Sequence, residues 1–229
     1  AQWDGTDLDG RTILLHCDED VADTLALIRF ASQVANQNGR VVVRCPSLLR
    51  RLIATVSGVT DTVDTKQALP DFDVHAAMSS LPDIFGSALD NDQSDWVSHL
   101  KPTANVGPDL GLKQTDLLRV GLAWAESPRN AVFSDRPLDV VAWAPVLRVE
   151  GCEFVCLQSF NAPKAFSQMQ TTAKIRGFPI AYPDFADAAD VIRQLDLVIS
   201  VDCPFAHLGG AIGNLTWVML PYAAGWKWL

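Results

Sequence analysis

Short apolar runs alternate with segments of helical periodicity along almost the whole chain. The run from Thr12 to Cys17 has the length of a buried strand, and Val21, Leu25 and Ile28 after it fall on one face of a helix. A second series of the same kind begins at Leu118. Strands that alternate with helices predict βαβ units and parallel sheets, so we expect an α/β protein.

The alternation is interrupted once, between Asp90 and Asp116, where the periodicity fades and Asn, Asp, Gly, Pro and Ser accumulate. Such a segment is typical of a crossing between two lobes, and a chain of 229 residues is long enough for two small domains. We expect one Rossmann-like lobe over residues 1–112, a second over residues 113–229, and a cleft between them. Ligands of parallel sheets bind beyond the carboxyl ends of the strands, so the loops that follow the strands are the candidate site.

The predicted elements follow from the apolar runs and from the helix signals at their ends. The predicted strands cover residues 12–17, 40–44, 59–63, 72–78, 118–124, 153–157, 197–200 and 215–220. The predicted helices cover residues 21–34, 46–56, 138–147, 185–194 and 205–212. Gly39 is expected to take a left-handed cap, Asp184 to cap its helix, and Pro46 and Pro204 to lie in the first helical turn. Residues 79–82 are predicted as a turn.

The charge and the hydropathy of the chain limit its partners. A formal net charge of −9 argues against nucleic acid, because phosphate contacts need clustered Lys and Arg. A small anionic ligand is still compatible, because a helix N-terminus can hold one. No apolar run approaches the about 20 residues that span a bilayer, and the first residues lack the basic flank of a signal peptide. We therefore expect a cytoplasmic protein without a membrane span.

The five cysteines form no disulfide-scaffold pattern, and most of them lie in or beside apolar strand-like runs. They are Cys17, Cys45, Cys152, Cys156 and Cys203. Reduced and mostly buried thiols are the simplest interpretation. No His or Cys pair lies near Cys152 and Cys156 at the spacing that a zinc site needs, so no metal site is expected.

The segment from Leu195 to Gly213 combines a buried strand, a short turn and a helix. Pro204 stands where the first helical residue is expected, so the N–H groups of that turn would point beyond the carboxyl end of the strand. Together with the helix dipole, those groups favour an anion such as a diphosphate.

Polar and small residues of this segment have both a functional and a structural interpretation. Asp202 could cap the helix, orient His207 or contact a hydroxyl group. Gly209 and Gly210 would permit close packing of the helix on the sheet or close approach of a ligand. An Asp before a helix is usually only a cap, and a lone His is more often structural than catalytic.

Further short motifs occur in a fixed order along the chain. They are Trp3-Asp4-Gly5, Leu8-Asp9-Gly10-Arg11, Leu69-Pro70-Asp71-Phe72-Asp73, Ser79-Ser80-Leu81-Pro82, Val120-Gly121-Leu122-Ala123-Trp124-Ala125, Leu157-Gln158, Asp184-Phe185-Ala186-Asp187 and Leu220-Pro221-Tyr222. With residues 195–213, they resemble the glycosyltransferase-like domain found behind tetratricopeptide repeats (TPR) in bacteria. That domain is related to the heptosyltransferases and, more distantly, to O-linked N-acetylglucosamine transferase. The resemblance covers nearly the whole chain.

The resemblance implies the GT-B architecture, with two Rossmann-like lobes and an interlobe cleft. It places the acceptor side in residues 1–112 and the nucleotide-sugar side in residues 113–229. The implied reaction is metal-independent transfer of a hexosyl or heptosyl group from a nucleotide-diphosphate sugar, which is a substrate rather than a cofactor. The acceptor would be a protein or a glycan, and TPR repeats would precede this domain in a longer chain.

The same resemblance implies roles for individual residues. Asp23 and His207 are the expected catalytic residues, with Asp23 as the base toward the acceptor. Arg136 is expected to contact the donor phosphates, and Gln158 and Asp187 are expected near the nucleotide. The other residues expected on the diphosphate side are Asp202, Cys203, Gly209 and Gly210.

The loop after the first strand departs from the family pattern, which is Glu-Gln-Gly-x-Gly-Asp-Thr. Here residues 18–24 carry Asp20 and Ala22 at the two glycine positions. Either change would strain a loop that needs positive φ, by about 1–2 kcal/mol per residue. The four carboxylates of this loop would also repel a diphosphate. The alternative is a solvated acidic helix start, where carboxylates are favourable.

Two further departures concern the donor side. Cys203 stands where a Thr is usual. A helix N-terminus is expected to lower its pKa, which would permit a reactive thiol, but a plain packing cysteine is the favoured interpretation. Of the usual basic cluster, Arg136 remains and a second arginine is lost, with Arg129 as a candidate substitute.

Two functional hypotheses stay open. The first is an active, inverting glycosyltransferase, which the retained Asp23 favours. The second is a catalytically degenerate GT-B domain that serves binding or assembly, which the acidic loop and the reduced basic cluster favour. An unrelated α/β hydrolase is disfavoured, because the sequence contains neither a Gly-x-Ser-x-Gly elbow nor a Walker loop.

Overall fold

The structure is a computed structural model, and it describes residues 1–17, 20–86, 99–101, 116–124, 140–158, 175–176, 183–220, 222 and 228. The chain divides into two compact units. The first contains Ala1–Gly107, Pro183–Asp190 and Ala211–Gly213, and the second contains Pro108–Tyr182, Val191–Gly210 and Asn214–Leu229. The predicted boundary between residues 112 and 113 lies outside the described residues and stays a prediction.

The sheet of the first unit has four parallel strands. The strands are β1 (Thr12–His16), β2 (Arg40–Cys45), β3 (Val59–Asp64) and β4 (Val74–Ala77), in the order β3-β2-β1-β4. The interior strand β1 buries Ile13, Leu14 and Leu15. Burial of each such side chain contributes about 1.5–3 kcal/mol, which is why the apolar runs become interior strands.

Short helices connect these strands. They are α1 (Val21–Leu27), a 3₁₀ turn (Ile28–Phe30), α2 (Ala31–Ala35), α3 (Ser47–Ile53), a second 3₁₀ turn (Met78–Ser80) and α4 (Leu81–Phe85). α1 begins at Asp20, whose Oδ1 accepts hydrogen bonds from the amides of Ala22 at 2.7 Å and Asp23 at 3.2 Å. α1 buries Leu25 against the core.

Three local predictions for the first unit are wrong. Asn38, rather than Gly39, takes the left-handed conformation, with φ of 56°. Pro46 caps α3 from outside the helix, with ψ of 145°, instead of lying in its first turn. A turn is predicted over residues 79–82, but only Ser79 and Ser80 belong to a 3₁₀ turn. Leu81 and Pro82 begin α4 (Leu81–Phe85), because proline is compatible with the first turn of a helix.

The sheet of the second unit has five parallel strands. They are β5 (Leu118–Ala123), β6 (Cys152–Cys156), β7 (Ile175–Arg176), β8 (Leu197–Val201) and β9 (Thr216–Met219), in the order β7-β6-β5-β8-β9. The helices among the described residues of this part of the chain are α5 (Val140–Leu147), α6 (Phe185–Ile192) and α7 (Pro204–Ala211). The strand order is that of a Rossmann sheet, and both units are therefore of the predicted α/β type. Within the described part of the chain, no helix is long and apolar enough to cross a membrane.

Candidate functional site

The candidate site lies at the carboxyl end of β8 in the second unit. β8 pairs with β5 on one side and with β9 on the other, so it is the interior strand that the sequence predicts. Two turn residues, Asp202 and Cys203, follow the strand, and Pro204 is the first residue of α7, as predicted. The helix therefore starts directly beyond the strand end, which is where parallel sheets bind ligands.

The side chain of Cys203 is used inside this turn. It is 1% exposed, and its Sγ lies 3.1 Å from Ser200 Oγ. The amide of Ala206 donates to the Cys203 carbonyl oxygen at 3.0 Å. Burial raises the pKa of Cys203, and smaller effects of the Ser200 hydroxyl and of the backbone of Phe205 and Ala206 act in the opposite direction. The expected lowering of this pKa is wrong, because desolvation outweighs the helix N-terminus here, and the burial of the thiol favours the packing interpretation.

His207 lies between a carboxylate and an aromatic ring. Its Nε2 is 3.4 Å from Asp202 Oδ1, and its ring stacks on that of Trp228 with a centroid distance of 4.8 Å and an interplanar angle of 24°. The His207 side chain is 7% exposed and that of Asp202 is 22% exposed. The contact between His207 and Asp202 is within ion-pair distance and is not a hydrogen bond, so an orienting role of Asp202 stays a prediction.

The two glycines of α7 have different surroundings. A Cβ atom on Gly209 would lie 2.4 Å from Thr216 Oγ1, so this glycine is needed for close packing of α7 on β9. A Cβ atom on Gly210 would meet nothing within 4 Å, and the residue is exposed. Contact of either glycine with a diphosphate stays a prediction.

Gln158 follows β6 at the same edge of the sheet. Its Oε1 accepts a hydrogen bond from the amide of Trp124 at 3.0 Å, which ties the ends of β5 and β6 together. Because β6, β5 and β8 are neighbours and parallel, Gln158, Trp124 and Asp202 all follow carboxyl ends at one edge. The structure therefore brings Gln158 to the same edge as the β8–α7 turn.

Asp187 belongs to the first unit, together with the start of α6. Asp184 caps this helix as predicted, because its Oδ1 accepts from the amides of Ala186 at 2.9 Å and Asp187 at 3.1 Å. The guanidinium of Arg51 donates to Asp184 Oδ1 at 2.8 Å and also to Asp187 Oδ1. The hydrogen bond to Asp187 is the main cause that raises the pKa of Arg51. Sequence reasoning missed Arg51, because an arginine in the last turn of a helix carries no signal of a partner far along the chain.

Asp23 lies in the first turn of α1 and is half-buried. Asp20 has φ of −86°, so the strain expected for a residue at positive φ does not arise. Its carboxylate caps the helix, which is the structural alternative stated for the acidic loop. Asp18, Glu19, Arg129 and Arg136 lie outside the described residues. Among the residues that are described, no group of three or more His, Cys, Asp or Glu side chains could hold a metal ion.

Comparisons with known proteins find the fold in solved structures. No protein-family model matches the sequence. No curated protein matches it either. A glycosyl transferase family 9 protein from Veillonella parvula matches with a TM-score of 0.62 at 13% identity, over 94% of this chain and 82% of that chain. The chain has the GT-B fold.

Two heptosyltransferases of E. coli share this GT-B fold. WaaC, solved with ADP, matches with a TM-score of 0.58 at 12% identity, over 93% of this chain and 88% of that chain. ADP-heptose lps heptosyltransferase II matches with a TM-score of 0.56 at 11% identity, over 90% of this chain and 84% of that chain. The likeness confirms the predicted fold class of two Rossmann-like units with parallel sheets, which places the β8–α7 turn in the second of these units.

Proposed function

We propose that this chain is a glycosyltransferase-like protein that transfers a sugar from a nucleotide-diphosphate sugar without a metal ion. The observation that carries the proposal is the start of α7 at the carboxyl end of the interior strand β8, with Asp202 and His207 beside it. A helix N-terminus in that position attracts anions, and the diphosphate is the anionic part of such a donor.

The proposed donor class is an adenosine-diphosphate sugar. WaaC has been solved with ADP and with ADP-2-deoxy-2-fluoro heptose, and the iron-containing glycosyltransferase TibC of E. coli with ADP-D-beta-D-heptose. These ligands belong to those proteins, and they supply the first compounds to test on this chain. A protein or glycan acceptor and upstream TPR repeats stay part of the proposal.

Each residue has a defined role in the proposed reaction. Asp23 accepts the proton of the acceptor hydroxyl, and Arg136 contacts the donor phosphates. His207, oriented by Asp202, stabilises the charge that develops on the leaving nucleoside diphosphate. The dipole of α7 would act on the same charge as His207, because the helix begins directly beyond the end of β8.

Nucleotide binding tests the proposal. The unfolding temperature is measured with ADP, GDP and UDP at millimolar concentration, each with EDTA and with added Mg²⁺. We expect ADP to raise the unfolding temperature, because a ligand at a hundred times its Kd adds about 2.7 kcal/mol to stability. The increase should be equal with EDTA and with Mg²⁺, because the proposed reaction uses no metal ion. His207→Ala should abolish the shift, while Asp71→Ala, a change of an exposed carboxylate in the first unit, should retain it. The proposal fails if none of the three nucleotides shifts the transition.

A second candidate function is a catalytically degenerate GT-B domain that serves binding or assembly. The burial of Cys203 and the stacking of His207 on Trp228 favour it, because both side chains make their contacts inside the chain. Binding of an ADP-sugar without release of ADP in the presence of acceptor candidates would select this function over transfer.

A further inference from the structure

Two cysteines stand opposite each other at the ends of neighbouring strands in the first unit. β1 and β2 are parallel and in register, and their last pair is His16 with Arg44. One residue further along each chain stand Cys17 and Cys45. Residues that are paired in parallel strands point to the same face, and neighbouring strands lie about 4.8 Å apart. That separation is inside the range of Cα distances that a disulfide spans.

The position of the Cys17 sulfur agrees with this register. Cys17 Sγ lies 3.5 Å from the carbonyl oxygen of Arg44, and the carbonyl carbon of Arg44 is bonded to the amide nitrogen of Cys45. The Cys17 thiol therefore lies beside the backbone of β2 directly before Cys45. Cys17 also contributes to the raised pKa of Cys45, after the larger effect of burial.

The two thiols differ in access to solvent. Cys17 is half-buried, whereas Cys45 is fully buried. Burial raises the pKa of Cys45 to about 12, so this thiol stays protonated and is a poor first nucleophile. An oxidant would therefore meet Cys17 first, with Cys45 behind it as the resolving thiol.

We propose that Cys17 and Cys45 are an oxidisable dithiol that hydrogen peroxide converts to a disulfide. The Cys17 thiolate attacks one peroxide oxygen, the O–O bond breaks, and the second oxygen leaves as water after taking a proton. Cys17 is then a sulfenic acid. The Cys45 sulfur attacks the Cys17 sulfur, the S–O bond breaks, and the hydroxyl leaves as a second water with the thiol proton. Two thiols are oxidised, and one peroxide is reduced to two waters.

The bond would tie the end of β1 to β2 directly before α1. Cys17 is three residues before Asp20, which caps the helix that carries Asp23. The dithiol depends on the register of β1 and β2 and on the position of the Cys17 sulfur, and not on whether the chain transfers a sugar.

Peptide mapping tests the proposal on the folded chain. The protein is treated with hydrogen peroxide, alkylated with N-ethylmaleimide and digested with trypsin without reduction. Cleavage after Arg11, Arg29, Arg44 and Arg50 places Cys17 on Thr12–Arg29 and Cys45 on Cys45–Arg50. We expect the linked pair of these peptides to exceed every other disulfide by at least about tenfold, because the register of β1 and β2 places these two cysteines within the Cα separation that a disulfide spans.

Variants separate the proposed bond from general oxidation. Cys17→Ser should abolish the linked peptide and leave the fold intact, since Cys17 is only half-buried. Cys152→Ser, at a cysteine that is also half-buried, should leave the bond unchanged. Oxidation in urea should spread the disulfides over several pairs. Two results would overturn the proposal. One is recovery of Cys17 as sulfinic acid, with Cys45 alkylated only after unfolding. The other is a disulfide that joins Cys17 mainly to another cysteine.

Discussion

Asp20 determines where α1 begins, because its carboxylate accepts two amides of the first turn. We expect Asp20→Ala to lower the free energy of unfolding of the first unit by about 1 kcal/mol, the usual loss of an N-cap. Asp20→Gly should lower it by only about a few tenths of a kcal/mol. Urea unfolding followed by circular dichroism measures both.

The control for the cap is an exposed carboxylate in the same unit. Asp71→Ala changes the charge as Asp20→Ala does, and it should stay within about 0.5 kcal/mol of the unsubstituted chain. Equal losses for the two alanine variants would show that the capping hydrogen bonds of Asp20 contribute nothing beyond charge.

His99 makes the stability of the first unit depend on pH. Its ring packs on α1 with Nε2 3.3 Å from the carbonyl oxygen of Leu25, and burial lowers its pKa from 6.5, with a smaller contribution from the charge of Arg29. The unfolded chain therefore binds a proton at His99 more readily than the folded chain does. The contribution of neutral His99 is present above pH 6.5 and is lost as pH falls below that value towards the lower folded pKa.

His99→Gln tests this pH dependence, because a Gln amide can also donate to Leu25 but takes up no proton. The free energy of unfolding is measured at about pH 7.5 and about pH 5.5, on either side of the unfolded pKa of histidine. We expect the variant to lose less stability over that interval than the unsubstituted chain does. His16, His75 and His207 are present in both proteins and serve as the internal reference. An identical decrease in both would contradict the role of His99.

The contact between α7 and β9 depends on a glycine that the sequence leaves open to two interpretations. A Cβ atom at Gly209 would lie 2.4 Å from Thr216 Oγ1, whereas one at Gly210 would meet nothing within 4 Å. We expect Gly209→Ala to destabilise the second unit by about 1–3 kcal/mol through overpacking. Gly210→Ala should stabilise it by about 0.4–1 kcal/mol, because alanine restricts the unfolded chain.

The pair of variants is its own control, since both add one methyl group to the same helix. Unfolding curves of the two proteins are compared at equal concentration and with the same probe. Effects of the same sign and size would mean that packing on Thr216 does not determine which glycine of α7 tolerates an added methyl group.

The start of α6 is connected to α3 by Arg51 within the first unit. Its guanidinium donates to Asp184 and to Asp187, and Asp187 is buried. We expect Arg51→Ala to cost about 1–3 kcal/mol, because it leaves a buried carboxylate without its cation. In that background, Asp187→Asn should recover part of the loss by removing the unpaired charge. A double-mutant cycle gives the coupling energy, and additive effects would show that the ion pair contributes no stability.

At the scale of the whole molecule, the sequence predicts the sheets better than the short helices. Interior strands such as β1 and β8 are continuous apolar runs, and burial alone decides their position. α4 is not predicted, because it has only five residues, contains Pro82 and follows two serines, and these are local signals of a turn. Asn38 and Gly39 can both adopt positive φ, and Asn38 does so; Gly39 is needed for space instead, because a Cβ on it would lie 2.1 Å from Leu8 Cδ1.

The candidate site shows the same limit. The strand–turn–helix at residues 197–211 is a local pattern, so the sequence predicts it correctly. Three contacts join residues that are far apart in the chain. They are the hydrogen bonds of Arg51 with Asp187 and of Trp124 with Gln158, and the ring stacking of His207 on Trp228. No periodicity encodes such pairs, and they become visible only when the fold has brought the elements together.

A variant at Asp23 distinguishes a protein that transfers a sugar from one that only binds the donor. If Asp23 is the general base, Asp23→Asn should lower the release of ADP from an ADP-sugar with a suitable acceptor by about 10²–10⁴-fold, the usual contribution of such a base. The Kd for ADP should not change, because Asp23 lies in the first unit and contacts the acceptor side in the proposed reaction. Activity is measured as ADP released in EDTA, and affinity by titration calorimetry, with Asp71→Ala as the matched control. A variant that releases ADP at the unsubstituted rate removes Asp23 from the mechanism. If neither protein releases ADP although both bind it, the function is binding without turnover.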